Sequence, residues 1–277
     1  MALSIYDPKF KSVEELADKL EYRYSSLKLF QQCPKQFELR YILEADELSN
    51  GIEAFVGSQF HSAAEDLHNL MINGMTLMTL DEFIDRFFYH WNKNYDPDFI
   101  RNVMGKPLDY YIGIGVESAE NYYLENYPFN SETDIACELE LQIEINEYLL
   151  NMHIDRVSKK GDVIYIHDYK TSNKLPSKAE LNQSLQLSIY EMGIRQHFNH
   201  DGPVVLVWHY VRHNKRYECV RSEQSIEKTK AEIVKIISEV EEAIEFNHFP
   251  YRPNFKCDWC PYAINCDSYL EQKEGKL

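Results

Sequence analysis

The sequence contains no apolar run of about 18 or more residues, which is the length that a membrane-spanning helix needs. Residues 1–12 also lack the basic stretch followed by an apolar one that marks a secretory signal. We therefore expect a cytoplasmic protein without a membrane span. Internal repeats, low-complexity linkers and Gly/Ser-rich hinges are absent too, which favours a single domain over residues 1–277.

Positive charge is also scarce. Lys and Arg together number 29 against 45 Asp and Glu, which gives a net charge of −16. Because proteins bind nucleic acids largely by neutralising phosphates, bulk charge alone would not hold this protein on DNA. Binding to DNA would need a local basic groove or bound metal ions. The Gly-x-x-x-x-Gly-Lys-Ser/Thr phosphate loop is missing, which excludes a nucleotide-driven motor of that type.

Hydrophobic periodicity predicts the secondary structure. Helical spacing predicts a helix capped by Ser25 or Ser26 and further helices over 53–71, 80–91, 108–127, 176–198 and 223–246. Alternation predicts strands over 135–145, 148–157, 163–169 and 204–212, with a hairpin turn at 158–162 and an irregular segment at 250–277. This order predicts an α/β fold with a central sheet flanked by helices. Its parts are a mainly helical region (1–130), an α/β core (131–222) and a C-terminal helix with a cysteine-bearing segment (223–277).

Charged residues follow two of the predicted strands. Asp155 lies near the end of one strand; Asp168 and Lys170 lie near the end of the next, two residues apart and so on one face. If these strands form a hairpin, the two carboxylates converge and can hold Mg²⁺ or Mn²⁺. The lysine can then orient or deprotonate a water, or stabilise charge on a phosphate. The alternative is an ordinary ion pair that closes a hairpin, but the apolar run at 163–166 places the pair at the mouth of a buried strand.

These residues belong to a longer ordered pattern that resembles the RecB-like nucleases of the PD-(D/E)XK superfamily. That family has Gly-x-x-x-His on a helix, a strand ending in Asp, a hairpin, Asp/Glu-x-Lys, and a helix with Gln-x-x-x-Tyr. This chain supplies the same pattern in the same order, as Gly57 and His61, then Asp155, then Asp168 and Lys170, then Gln186 and Tyr190. Ile154 stands where the family's name has proline. The resemblance implies a restriction-endonuclease-like core, that is, a central mixed sheet flanked by helices.

The resemblance also implies a role for each matching residue. His61, Asp155 and Asp168 would bind the metal ion together with the main-chain carbonyl of Tyr169, and Lys170 would be the catalytic lysine. Gln186 and Tyr190, one helical turn apart, would support the site and the DNA backbone. Taken alone, His61 reads more simply as a packing or surface histidine. The ordered set of four motifs favours the site.

Three of the six cysteines form a Cys-x2-Cys-x5-Cys run, namely Cys257, Cys260 and Cys266. In a cytosolic protein such a run indicates metal ligands rather than disulfides. The resemblance extends to the iron–sulfur branch of the family, which includes CRISPR-associated adaptation exonucleases and AddB-type recombination subunits. It implies that Cys33 is the fourth ligand of a [4Fe–4S] cluster. Zinc, which also accepts four thiolates, is the alternative. The remaining two cysteines, Cys137 and Cys219, read as buried packing residues.

The sequence thus predicts a Mg²⁺- or Mn²⁺-dependent DNA exonuclease that favours single-stranded ends and serves recombination, repair, replication or CRISPR adaptation. It would act alone or beside a separate helicase, recombination or CRISPR adaptation protein, and its oligomeric state is left open. One alternative is a non-catalytic iron–sulfur DNA-binding or assembly subunit with the same fold, which intact Asp155, Asp168 and Lys170 disfavour. The other is a zinc-stapled scaffold without a nucleic-acid role.

Overall fold

The structure is a computed structural model that describes residues 22–275, apart from the side chain of residue 265. The expectation about a secretory signal in residues 1–12 lies outside the described residues. None of the helices within residues 22–275 combines the length and the apolar character that crossing a membrane requires.

A mixed sheet of six strands lies at the centre of the fold. The strands are β1 (Tyr22–Arg23), β4 (Thr133–Ile145), β5 (Tyr148–Lys160), β6 (Val163–Lys170), β7 (Val204–Tyr210) and β8 (Lys215–Cys219). Strand β5 pairs antiparallel with β4 on one edge, and on the other edge with β6 and the short parallel β1. Beyond β6 lie the parallel β7 and the antiparallel β8. The predicted α/β class with a central mixed sheet is confirmed.

The α-helices in the described part of the chain are α1 (Tyr24–Gln32), α2 (Pro34–Phe37), α3 (Ile52–Ile72), α4 (Leu80–Asn94), α5 (Leu108–Asn126), α6 (Lys178–Asn182), α7 (Leu185–Phe198), α8 (Glu223–Glu245) and α9 (Asp267–Lys273). These helices pack into two hydrophobic cores. One core joins the sheet to α1, α7 and α8. The other joins α3, α4 and α5, and it includes Tyr169 at the end of β6. A small parallel pair, β2 (Asn50–Gly51) with β3 (Ile100–Arg101), lies beside α3.

Two local predictions at helix ends are wrong. The single helix expected over 176–198 is divided into α6 and α7. At the break, Arg221 Nη2 donates to the main-chain carbonyls of Leu181 and Ser184 at 2.9 and 3.2 Å. The first helix begins at Tyr24, before the predicted caps. Ser26 lies inside its first turn, where its hydroxyl accepts from Arg23 N–H at 3.0 Å.

Three boundaries also differ from the prediction. Strand β5 continues to Lys160, so that the turn at its end is tighter than 158–162 and contains Gly161 with φ +61°. Strand β7 ends at Tyr210 rather than at residue 212, and a 3₁₀ turn, Val211–His213, follows it. The C-terminal segment contains α9 and is therefore not wholly irregular. The other predicted elements agree to within a few residues.

Candidate metal site and adjoining groove

The site forms where β5 and β6 diverge. Their pairing ends at Arg156 with His167, one residue before the two predicted aspartates. Beyond that point the Asp155 Oδ2 atom accepts the main-chain N–H of Tyr169 at 2.8 Å, so that a side chain replaces the next rung of the ladder. The structure therefore brings Asp155 and Asp168 to one place, as the hairpin prediction required.

Helix α3 brings His61 to the same place. A Cβ atom on Gly57 would lie 2.8 Å from Thr171 Oγ1, so the missing side chain lets the helix approach the chain just after β6. One turn later, His61 Nε2–H donates to the main-chain carbonyl of Tyr169 at 3.1 Å, and its Nδ1 lies 3.6 Å from Asp155 Oδ2. His61 thus contacts both the carbonyl and one of the carboxylates predicted to share a metal ion with it.

Lys170 joins the acidic site to α7. Its Nζ lies 2.7 Å from Asp168 Oδ2 and donates to Oδ1 at 2.8 Å and to Gln186 Oε1 at 3.5 Å. Gln186 Nε2 in turn donates to the Tyr190 hydroxyl at 2.9 Å. Burial acts to lower the pKa of Lys170, but the carboxylates of Asp168 and Asp155 raise it above its ordinary value. The side chain of Lys170 is therefore positively charged at neutral pH.

Glu138 on β4 is a site residue that the sequence analysis missed. Its neighbours Cys137 and Leu139 pair with Arg156 and Ile154 on β5, so that Glu138 stands opposite Asp155. Ligand atoms of His61, Glu138 and Asp155 all lie within 4.8 Å of one another. Burial first, and then the negative charges of Asp155 and Glu65, raise the pKa of Glu138 to about 8. Carboxylates this close together repel each other unless a cation or a proton lies between them.

The donor set fits a hard divalent cation. It offers an imidazole nitrogen, a main-chain carbonyl and several carboxylates, which are the ligands that Mg²⁺ and Mn²⁺ accept. Asp168 is 1% exposed, and its Oδ2 atom lies 2.7 Å from Lys170 Nζ. A carboxylate oxygen has two lone pairs, so this atom can accept a further positive partner.

A groove of about 870 Å³ leads away from His61 and Lys170. Its far wall comes from the cysteine-bearing segment and includes Phe255, Lys256 and Trp259. The Phe255 ring is 79% exposed. Trp259 is fixed against α3, where its indole N–H donates to Glu53 at 3.1 Å. The groove therefore combines one free aromatic ring, one anchored ring and two lysines.

Lysines gather near the groove although the chain is acidic overall. Lys28 on α1 lies close enough to Lys170 and Lys256 that their positive charges, added to burial, lower its pKa. Lys256 Nζ also donates to Gln32 at the end of α1 at 3.1 Å. Two of these three lysines, Lys170 and Lys256, line the groove, and its lining also includes the carboxylate of Glu53.

The four predicted cluster cysteines line one cavity at the end of α1. Cys33 comes from the N-terminal side, and Cys257, Cys260 and Cys266 come from the C-terminal segment. Arg252 fixes that segment by donating to the carbonyl of Gln31 at 2.7 Å. Within residues 22–275, no three cysteine sulfurs lie within 4.8 Å of one another. Cys137 and Cys219 lie outside this cavity.

A buried polar network supports the site from behind. The hydroxyl of Tyr169 lies 3.0 Å from that of Tyr122, which lies 2.6 Å from His68 Nε2. His68 Nδ1 lies 2.6 Å from Asp134, and Asp134 accepts from Arg156 Nε at 2.6 Å. Tyr169 is therefore held through its side chain while its backbone contacts His61 and Asp155.

The histidines of this network are neutral. Arg156 and Arg216 already balance the carboxylates of Asp134 and Glu132, to which they are bonded. Burial and the charge of Arg156 lower the pKa of His68 to about 4 and that of His167 to about 3. His209, which bonds to His167 at 2.9 Å, has a pKa well below its ordinary value for the same reason.

Comparisons with known proteins agree with this arrangement. A family model of the PD-(D/E)XK nuclease superfamily matches residues 24–267. The Gene 69 protein of Mycobacterium phage D29 is 23% identical over 264 residues, an alignment that covers 87% of this chain and 94% of that protein.

Two solved structures are also similar. A candidate exonuclease from Eubacterium rectale is 12% identical, with a TM-score of 0.53 over 98% of this chain and 94% of that one. This likeness shows the fold alone. SSO0001 is 14% identical, with a TM-score of 0.35 over 89% of this chain and 96% of that one.

The neutral histidines predict how stability depends on pH. In the unfolded chain a histidine binds a proton below about pH 6.5, whereas the folded protein keeps His68 neutral until about pH 4. The free energy of unfolding should therefore fall as the pH falls from about 6.5 to 4, by about 1.4 kcal/mol per pH unit for each such histidine. Urea denaturation at a series of pH values measures this slope.

In the variant His68→Gln the free energy of unfolding should change less steeply with pH, by the contribution of about one proton, which is about 1.4 kcal/mol per pH unit. His248→Gln, which replaces an exposed histidine outside the network, should retain the slope of the unmodified protein. Equal slopes for His68→Gln and the unmodified protein would mean that His68 is not neutral in the folded state.

Proposed function

Because this chain belongs to the PD-(D/E)XK nuclease superfamily, we propose that it is a Mg²⁺- or Mn²⁺-dependent exonuclease acting on single-stranded DNA ends. The observation that carries the proposal is the meeting of His61, Asp155, Asp168 and Lys170 where β5 and β6 diverge. A divalent metal is typical of nucleases in this superfamily.

Each site residue then has a defined task. His61, Asp155, Asp168 and the carbonyl of Tyr169 hold the divalent ion, which supplies Lewis-acid chemistry to a phosphodiester when bound. Lys170, kept charged by Asp168, stabilises the negative charge that develops on the phosphate. Gln186 and Tyr190 keep the Lys170 ammonium group in position.

The residues that line the groove favour single-stranded DNA as the substrate. Unpaired bases stack on aromatic rings without regard to sequence, and lysines neutralise the backbone phosphates. Phe255 offers an exposed ring, and Lys256 lines the same groove beside it. A strand lying in this groove would run directly into the acidic site.

We also propose that the four cysteines bind a [4Fe–4S] cluster. All four cysteines line one cavity between the end of α1 and the C-terminal segment, where a single group would contact all of them. Joining Cys33 to the C-terminal trio would stabilise the fold by about 5 kcal/mol on a loop-entropy model, and it would fix the groove wall that carries Phe255 and Trp259.

The activity is tested with end-labelled linear and closed-circular single-stranded DNA in Mg²⁺, Mn²⁺ or EDTA. We expect metal-dependent loss of the linear substrate only. Lys170→Ala should lower the rate by about a hundred- to a thousandfold, because it removes a charge that acts in the transition state. Lys235→Ala, an exposed lysine on α8, should have no effect. Cleavage of the circle would refute the exonuclease assignment. A failure to cleave by cluster-bearing protein in every metal would favour the non-catalytic subunit.

Phe255→Ala tests the groove. Loss of one stacked base should raise KM for single-stranded DNA by about five- to a hundredfold while kcat changes little. Phe246→Ala removes another exposed ring at the end of α8, outside the groove, and should leave KM unchanged. An unchanged KM in Phe255→Ala would show that the strand takes another path.

Cys257→Ala tests the cluster. Anaerobically purified protein should lose iron and sulfide, and its thermal unfolding temperature should fall, because one ligand and the covalent link between the chain ends are gone. Cys219→Ala, outside the cavity, should retain iron. Stoichiometric zinc in place of iron in the unmodified protein would replace the cluster with the zinc alternative.

A further inference from the structure

Three carboxylates stand side by side on neighbouring strands. Asp168 lies on β6, Asp155 on β5 and Glu138 on β4. The pairs on either side of Glu138, Cys137 with Arg156 and Leu139 with Ile154, place it directly opposite Asp155. The family pattern accounts for the first two carboxylates. It has no counterpart for the third.

The compact group of ligand atoms includes Glu138 rather than Asp168. In residues 22–275, His61, Glu138 and Asp155 are the group with ligand atoms all within 4.8 Å of one another. Ligands about 2.1 Å from an octahedral ion stand about 3.0 to 4.2 Å apart, so a group of atoms within 4.8 Å is close to the size that one ion requires. Asp168 lies outside this group and pairs with Lys170 at 2.7 Å.

Glu138 also has a competing partner. The Nε2 atom of His153 on β5 lies 3.0 Å from Glu138 Oε2, and the His153 side chain is about half exposed. A solvent-exposed pair of this kind contributes at most about 1 kcal/mol. It does not explain why a glutamate adopts φ +46° within a strand, where the left-handed conformation of a non-glycine residue costs on the order of 1 kcal/mol or more.

We propose that Glu138 is a direct ligand of the divalent cation that His61 and Asp155 hold. The inference rests on the proposed metal dependence, and it adds a ligand from β4 that the family's motifs do not include. Binding of the ion draws the Glu138 carboxylate away from His153. The ion is thereby held by residues of α3, β4 and β5 as well as by Asp168 on β6, which also pairs with Lys170.

The test is Mn²⁺ binding to EDTA-treated protein without DNA, followed by the electron paramagnetic resonance signal of free Mn²⁺. Glu138→Gln should raise Kd for Mn²⁺ at least about tenfold, because a ligand is lost. Glu65→Gln controls for charge. Glu65 lies near enough to act on Glu138 electrostatically but stands outside the ligand group, and its loss should change Kd by less than about threefold.

His153→Gln separates ligation from ion pairing. If Glu138 is a ligand, removing its competitor should leave Kd unchanged or lower it. If Glu138 serves only the ion pair, Glu138→Gln and His153→Gln should both leave Kd unchanged, and the inference is then wrong. Equal weakening by Glu65→Gln and Glu138→Gln would likewise overturn it in favour of a general charge effect.

Failure of this inference is distinguishable from failure of the proposed function. An unmodified protein that binds no Mn²⁺ would contradict the metal dependence itself. Equal Kd values for Mn²⁺ in the unmodified protein and in the Glu138→Gln variant would contradict only the role of Glu138. Thermal unfolding of each variant establishes that it is folded, and Glu138→Asp, with an intermediate Kd expected, replaces any variant that is not.

Discussion

Repulsion between carboxylates at one end of the sheet is the constraint on which the rest of the site depends. Asp155 and Asp168 lie where β5 and β6 stop pairing with each other, and Glu138 faces Asp155 from β4. Negative groups so close together are unfavourable in a partly buried place. Part of this negative charge is offset by Lys170, by the N–H of Tyr169 and by His61. The negative charge that remains suits a divalent cation.

Tyr169 links the site to the interior of the protein. Its N–H and carbonyl face Asp155 and His61, while its side chain enters the aromatic core between α3 and α5 and ends in a buried hydrogen-bonded network. Neutral histidines and paired arginines make this network electrically balanced, so that its charges need no solvent. Because a half-satisfied network is costly, the arrangement favours one position for the backbone of Tyr169.

Sequence reasoning reached the part of the site that depends on local spacing. Asp168 and Lys170 are two residues apart on a strand, and Gln186 and Tyr190 are one helical turn apart, so each pair lies on one face wherever the element sits. Glu138 could also have been found. Strands ending at Ile145 and beginning at Tyr148 set a register that places it opposite Asp155. Alternation alone gave no reason to prefer it to Glu140.

Contacts between distant segments were beyond such reasoning. Arg221 contacts the break between α6 and α7 from a distant part of the chain, and the groove wall depends on how the cysteine-bearing segment docks against α1 and α3. The location of the ion tests the site most directly. An anomalous difference map at the manganese edge, from crystals grown with Mn²⁺, should show a peak bounded by His61, Glu138, Asp155, Asp168 and the carbonyl of Tyr169. A manganese peak elsewhere, with that position empty, would contradict the account.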